Sequence, residues 1–310
     1  MQILLYGSIA WRHPFGLRQV MDWAKEFGWD GIDARGLSLD IPGDVRLRLN
    51  AFGYDMLGPR QIRKSARKQF RDLMQETGIH LSGIYCSSPV NLSGDAGQHY
   101  RQLFCDFLHL GADLGVDWIR SINNTTTDGK GGQYSEEEAF DKTVEGLKEV
   151  APLAAELGVG ILLENNENTA TPDAESMVRL QSEIGNLSKV GITYDPVNAY
   201  FQGKNVEQGF DILAGKIDVL HVKNVKRFEE KRWDYVPRGD FSYQWTNLAD
   251  GDLNWRELIG KAKQQGFDGP IAYEYVNPFK GMPLAYWDTL PEPEDAARTE
   301  AKFLREVIGN

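Results

Sequence analysis

Four side chains with ligand or proton-transfer chemistry stand where apolar runs finish. Glu164 closes GILLE, Asp195 follows GITY, His221 follows KIDVL, and Glu274 sits inside PIAYEY. A carboxylate at the end of one such run is ordinarily a salt-bridge partner for the next helix, and a lone histidine is ordinarily a hydrogen-bonded core residue. Four in consecutive runs are harder to obtain from packing alone. Brought together and left unpaired, three carboxylates would cost several kcal/mol each, on the order expected for buried uncompensated charge. A divalent cation removes that cost. Three oxygen donors, one nitrogen and no thiolate favour one Mn²⁺, with Mg²⁺ or Co²⁺ as alternatives, over a structural zinc.

Such a site needs strands that end side by side, and the sequence supplies them. Short β-rich runs at 2–6, 30–35, 80–86, 117–123, 158–165, 189–194, 216–223 and 270–275 alternate with amphipathic segments. Leu17, Val20, Met21, Ala24 and Phe27 recur at helical spacing, as do Ile62, Ala66, Phe70 and Leu73, and Phe140, Val144, Leu147, Val150 and Ala154. Ser135 before Glu136, Glu137 and Glu138 reads as an N-cap with an acidic first turn. EFGWDGI, ETGIHLSGI, DLGVDWI, ELGVGILL and QQGFDGPIAY repeat a helix–Gly–strand phrase, the signature of a glycine C-cap feeding a buried strand. Eight strands alternating with helices predict an α/β fold, a (β/α)8 TIM barrel, as a single domain over residues 1–310. An open doubly wound sheet is the rival, but YGSIAWRHPFG is not a glycine-rich phosphate turn. Two stretches exceed a minimal barrel: residues 228–254, with Trp233, Tyr235, Phe241, Tyr243 and Trp245, and residues 277–293, rich in Pro and aromatics. Both leave strand C-termini, so they are expected over the barrel mouth as lid or pocket wall, or as a subunit contact.

ILLENN, TYDPVN, LHVKN and YEY, in that order, resemble the xylose isomerase-like sugar isomerase/epimerase superfamily. This superfamily contains ketose 3-epimerases, hydroxypyruvate isomerase, inosose dehydratase and, more distantly, an apurinic endonuclease branch. The resemblance implies that Glu164, Asp195, His221 and Glu274 bind one divalent metal and that Glu164 and Glu274 are also the proton-transfer pair. One position departs. Many members carry a His three residues after the Asp, whereas this chain has Asn198. An amide neither titrates nor ligates a second metal well, so the change argues against the multi-metal endonuclease arrangement while leaving a hydrogen bond to a substrate hydroxyl available.

With a metal holding a carbonyl and a neighbouring hydroxyl, removal of the α proton gives an enediolate. Glu164 and Glu274, each keeping one oxygen on the metal and offering the other, would then isomerise or epimerise a sugar. A leaving group β to the carbanion turns the same chemistry into a lyase reaction, a dehydration or cleavage of a 3-oxo-glycoside. Lys223 lies two residues after His221, so strand alternation points both inward. Lys223 is expected either to bind a substrate oxygen or to pair with the carboxylates, and Arg120, near the end of the fourth strand, to orient a carboxylate ligand or a hydroxyl; with them, Asn198, Arg227, Tyr6, Trp11, His13 and Cys86 are the candidate substrate contacts. Arg227 matches an arginine that some family members aim at substrate. Asp33 joins Tyr6, Trp11 and Cys86 in the expected far wall, and Trp233 and Trp245 are candidate stacking surfaces. His80 falls at a strand start, while His99 and His109 lie in a helical stretch. TTTDGKGGQYSEE lacks the phosphate-loop spacing and reads as a gate, so the expected substrate is an unphosphorylated carbohydrate or keto-sugar.

Composition limits the partners. A net charge of −11 over 310 residues gives nucleic acid no general footing. A non-catalytic binding barrel would have little use for four convergent ligands. No run is apolar enough to span a membrane, and the start MQILLYGSIAWRH lacks a signal-peptide pattern. Two cysteines, Cys86 and Cys105, suggest neither a disulfide scaffold nor a zinc site. The expectation is a cytoplasmic enzyme with homo-oligomeric assembly open.

Overall fold

The computed structural model describes residues 1–10, 16–36, 49–50, 53–54, 56–60, 62–121, 133–167, 169–185, 187, 189–231, 236–238, 240–275 and 291–309. Eight parallel strands form its centre. They are β1 (Ile3–Tyr6), β2 (Gly31–Gly36), β3 (His80–Cys86), β4 (Trp118–Ser121), β5 (Gly160–Glu164), β6 (Val190–Tyr194), β7 (Ile217–Val222) and β8 (Ile271–Tyr273). Each pairs with its sequence neighbours, and β1 pairs with both β2 and β8, through Leu4↔Gly31 and Leu4↔Ala272. That double pairing closes the sheet into the expected barrel and rules out the open alternative.

Helices α1 (Gly16–Phe27), α2 (Lys64–Thr77), α3 (Gly94–Leu114), α4 (Glu136–Leu157), α5 (Ala174–Ile184), α6 (Pro196–Phe201), α7 (Val206–Ile212), α8 (Trp255–Gln264) and α9 (Pro293–Gly309) fill the connections. Their ends follow the local chemistry. Ser135 Oγ accepts the Glu138 N–H at 3.1 Å, and α4 stops where Gly158 takes φ 73°, a left-handed geometry that a Cβ would resist. Phe140, Leu147, Val150 and Ala154 form the buried face of α4. Ile62, read as part of the second helix, instead precedes it, its N–H bonded to the Gly58 carbonyl.

Period-two alternation decides what fills the barrel. Leu4, Trp118, Leu162, Val219 and Ala272 point inward and form an apolar plug. Two residues further along the same strands come Tyr6, Arg120, Glu164, His221 and Glu274, a polar layer about 6–7 Å nearer the C-terminal face. Gly83 on β3 makes room for the plug: a Cβ there would lie 2.1 Å from Trp118 Nε1 and 2.9 Å from Asp33 Oδ1. The remaining apolar side chains pack between barrel and helices in one continuous core.

After β7 the chain builds a three-stranded antiparallel sheet from Asn224–Phe228, Val236–Arg238 and Phe241–Thr246. It starts at Asn224, before the Phe228 boundary suggested by the sequence, because Asn224 to Phe228 pair residue by residue with Thr246 to Ser242. Tyr243 meets Phe201 edge-on at 4.8 Å and Trp245 meets the same ring at 5.7 Å, fixing this sheet to α6. The sheet is therefore continuous with β7 and packed on the helix that follows β6. Trp233, Tyr235, the loop at 122–132 and residues 276–290 lie outside the described residues. Among the described residues no helix is long and apolar enough to cross a membrane.

Candidate metal centre

Glu164, Asp195, His221 and Glu274 meet at the C-terminal face, each offering one ligand atom, and those atoms all lie within 4.8 Å of one another. His221 Nδ1 is the common point, 3.2 Å from Glu164 Oε1, 3.6 Å from Asp195 Oδ2 and 3.7 Å from Glu274 Oε2. Metal–ligand bonds near 2.0–2.2 Å put neighbouring donors roughly 3–4 Å apart, so these separations are those of a coordination shell. Charge agrees. Lys223 neutralises one of the three carboxylates, while Arg120 is shared between Glu164 and a fourth, Asp33. With His221 neutral, two negative charges remain, the complement of a divalent cation. All-oxygen donors plus one imidazole suit a hard or borderline ion.

Each ligand is held by its neighbourhood. Asp195 caps α6, its Oδ1 accepting the Val197 and Asn198 N–H groups at 2.9 and 3.2 Å, which turns Oδ2 toward His221. Asn165 braces the same residue in both directions, Nδ2 donating to the Asp195 carbonyl and Oδ1 accepting its N–H. Glu164 Oε1 accepts from Asn198 Nδ2 at 3.3 Å, and its Oε2 is paired with Arg120 Nη1. The ring of Tyr6 packs edge-on against His221, centroids 5.8 Å apart. Lys223 Nζ sits 2.7 Å from both Asp195 Oδ2 and Glu274 Oε2. Asn165 and Asp33 were the residues that the sequence reading missed or left vague. The Asn165 signal lay in the doubled amide of ILLENN.

The electrostatics follow from burial against partners. Burial opposes ionisation of Glu164, but Arg120 and His221 outweigh it and hold the carboxyl well below its usual range. Burial likewise opposes a charged imidazole, yet Glu164, Glu274 and Asp195 lift His221 to about 9 in the absence of metal. Glu274 is lowered by Lys223 against the same desolvation, and Lys223 is raised by Asp195 and Glu274. Asp33 goes the other way: desolvation exceeds the help from Arg120 and its pKa rises.

The candidate substrate contacts divide. Lys223, Asn198, Tyr6 and Arg120 join the cluster, although Arg120 is 2% exposed and spends its donors on carboxylates. Arg227 does not join it. Its strand belongs to the antiparallel sheet, where the guanidinium pairs with Glu229 and covers the Phe241 ring. Cys86 is fully buried in the apolar core, its Sγ accepting the Ser88 N–H, so it offers no wall to a ligand. The expectation that Glu164 offers a free second oxygen is also not met, because Arg120 occupies it. Trp11 and His13 lie outside the described residues. His80 pairs with Asp117 at 2.9 Å and is half-exposed, and His99 and His109 lie on α3.

A closed parallel barrel with a cation-shaped cluster of carboxylates and imidazole at its C-terminal face defines a class of metal-site TIM barrel. The xylose isomerase-like TIM barrel family model matches residues 21–307, and the chain belongs to that family. Over 219 residues it is 25% identical to inosose dehydratase of Geobacillus thermodenitrificans, covering 64% of this chain and 70% of that protein. Among solved structures, the IOLI protein with a binding zinc atom superposes with a TM-score of 0.73 at 17% identity, covering 100% of this chain and 98% of that one. D-psicose 3-epimerase in the presence of D-fructose gives 0.71 at 16% identity over 100% of both chains.

Proposed function

We propose that this chain is a divalent-metal-dependent enzyme that moves a proton at a carbon next to a carbonyl of a small carbohydrate, as an isomerase or epimerase. The observation that carries the reading is the set of four ligand atoms, three from carboxylates and one from an imidazole, within 4.8 Å of one another. Glu164, Asp195, His221 and Glu274 would hold the ion, Mn²⁺ in this reading, which would supply Lewis-acid stabilisation of a substrate carbonyl oxygen. The chain's own groups do the rest. Glu274, with its side chain 21% exposed, takes the α proton. Glu164 is the second carboxylate of the pair and presents Oε1, steadied by Asn198, because Oε2 is held by Arg120. Lys223 Nζ holds a substrate oxygen, Tyr6 bounds the ring, and the aromatic sheet around Trp245 shields the site from water.

A lyase is the second reading, and one observation favours it. The Lys223 ammonium stands 2.7 Å from Glu274 Oε2, so a fixed positive charge lies beside the base, where it would stabilise the negative charge on a departing hydroxyl or aglycone oxygen. The 25% identity to an inosose dehydratase supports the same alternative. An apurinic endonuclease role is disfavoured by Asn198 and the acidic charge. Incubating the Mn²⁺-loaded protein in D₂O with ketoses, an inosose and 3-oxo-glucosides separates the readings. Deuterium uptake without loss of a group means isomerisation or epimerisation, release of water or an aglycone means a lyase, and no reaction or exchange with any of them refutes both. A cytoplasmic location and a homo-oligomer complete the proposal, to be checked by cell fractionation and analytical ultracentrifugation.

A further inference from the structure

Glu164 and Glu274 are alike in sequence context but not in their surroundings. Glu164 is 3% exposed and both oxygens are engaged, Oε1 with His221 and Asn198, Oε2 with Arg120. In Glu274, Oε2 carries the contacts to Lys223 and His221, while Oε1 makes no hydrogen bond or ion pair with any described residue. The difference traces to Arg120. Its Nε donates to Asp33 Oδ2 at 3.3 Å, and its guanidinium lies 5.0 Å from the Tyr6 ring centre and 5.3 Å from that of Tyr85. Strands β2, β3, β4 and β1 thus hold one cation in place, and that cation holds an oxygen contributed by β5. Nη2, equally buried, has no partner among the described residues. At 2% exposure Arg120 has almost no surface with which to meet a ligand.

We infer that Arg120 is a positioning residue: anchored by Asp33 and packed on Tyr6 and Tyr85, it takes Glu164 Oε2 so that Glu164 faces the metal through Oε1 alone. The consequence is an asymmetric site, in which Glu274 Oε1 is the carboxylate oxygen left open toward the mouth. The inference rests on the metal-dependent reading and adds a division of labour that the ligand set alone does not contain.

The charge-conserving variant Arg120→Lys tests it, since an ammonium cannot bridge Asp33 and Glu164 as a planar fork does. The probes are Mn²⁺ affinity by titration and the visible absorption of the Co²⁺-loaded protein, both independent of substrate. Arg120→Lys should weaken Mn²⁺ binding about 10- to 100-fold, the usual effect of losing a group that orients a ligand. The Co²⁺ bands should shift and lose intensity as Glu164 becomes free to ligate through both oxygens. Asp33→Asn, which keeps the arginine but loosens its anchor, should shift the bands in the same direction by less, and it serves if the lysine variant does not fold. With a substrate that reacts, kcat should fall while KM stays within about threefold, where a substrate-contacting arginine would raise KM. Wild-type affinity and an unchanged Co²⁺ spectrum in both variants would overturn the inference. A wild-type protein that binds neither ion would overturn the metal-dependent reading instead.

Discussion

Lys223 gives the sharpest test of the charge balance. Its ammonium is 2.7 Å from two carboxylates that also face His221, and it is 7% exposed. Lys223→Met keeps the length of the stem and removes the charge. In metal-free protein, Asp195 and Glu274 then lose their counter-ion inside the barrel, a change that typically costs about 3–5 kcal/mol. For a chain of this size that lowers Tm by roughly 5–8 °C. A bound cation reverses the sign. A unit charge and a double charge 4 Å apart repel by about 2 kcal/mol in water and about 8 kcal/mol at an effective dielectric of 20, so removing the ammonium should tighten Mn²⁺ binding by at least about tenfold. By linkage, saturating Mn²⁺ should then stabilise the variant at least about 1.4 kcal/mol more than it stabilises wild type. Urea and thermal denaturation of both proteins, in chelator and in a common excess of Mn²⁺, read these numbers directly. Equal gains from Mn²⁺ in the two proteins would refute the argument that the ammonium and the metal share those oxygens.

Four further outcomes are expected. Glu274→Gln and Glu164→Gln should each lower turnover, followed by deuterium exchange, by about 10²-fold or more while near-UV circular dichroism stays native. Activity should disappear in EDTA and return with Mn²⁺ or Co²⁺, and persistence in protein shown by elemental analysis to be metal-free would count against the site. Glu300 on α9 is fully buried, accepts the Leu248 N–H through Oε1 and is pushed up to about 8 by burial. The folded state therefore binds more protons than the unfolded one between about pH 4.5 and 8, so this group lowers stability as pH rises through that window. Glu300→Gln keeps the acceptor and should match wild type near pH 4.5 but exceed it by on the order of 3–4 kcal/mol at pH 7–8, measured by urea unfolding across pH. Ser135→Ala should cost about 1 kcal/mol through loss of the α4 cap, seen in the urea midpoint at constant slope.

How far the sequence reached depended on the range of the forces involved. All eight barrel strands and the glycine-capped helix ends were legible because alternation, helical spacing and caps are set within a few residues. Three of the four clustered side chains were legible for a related reason: period two puts a polar residue two places beyond an apolar plug residue, as Leu162 precedes Glu164, Val219 precedes His221 and Ala272 precedes Glu274, while Asp195 follows Thr193 at the same spacing. Arg227 and Cys86 rested on other grounds, a family resemblance and a strand end, and both stand apart from the cluster. Arg227 lies six residues beyond His221, but the chain has by then left the barrel for an antiparallel hairpin, whose register turns the guanidinium toward Glu229. Cys86 ends its strand on the side that faces the helices, where apolar packing encloses it.

By itself, then, the sequence determined which strands exist, which way their side chains alternate, and that three carboxylates and a histidine end up on one rim. The tertiary structure alone decided who shares each oxygen. Asp33, Arg120 and Glu164 are separated by 87 and 44 residues along the chain, yet they touch because barrel closure brings β2, β4 and β5 to one interior. No local pattern encodes such a contact, since it depends on strand order and stagger summed around the whole sheet.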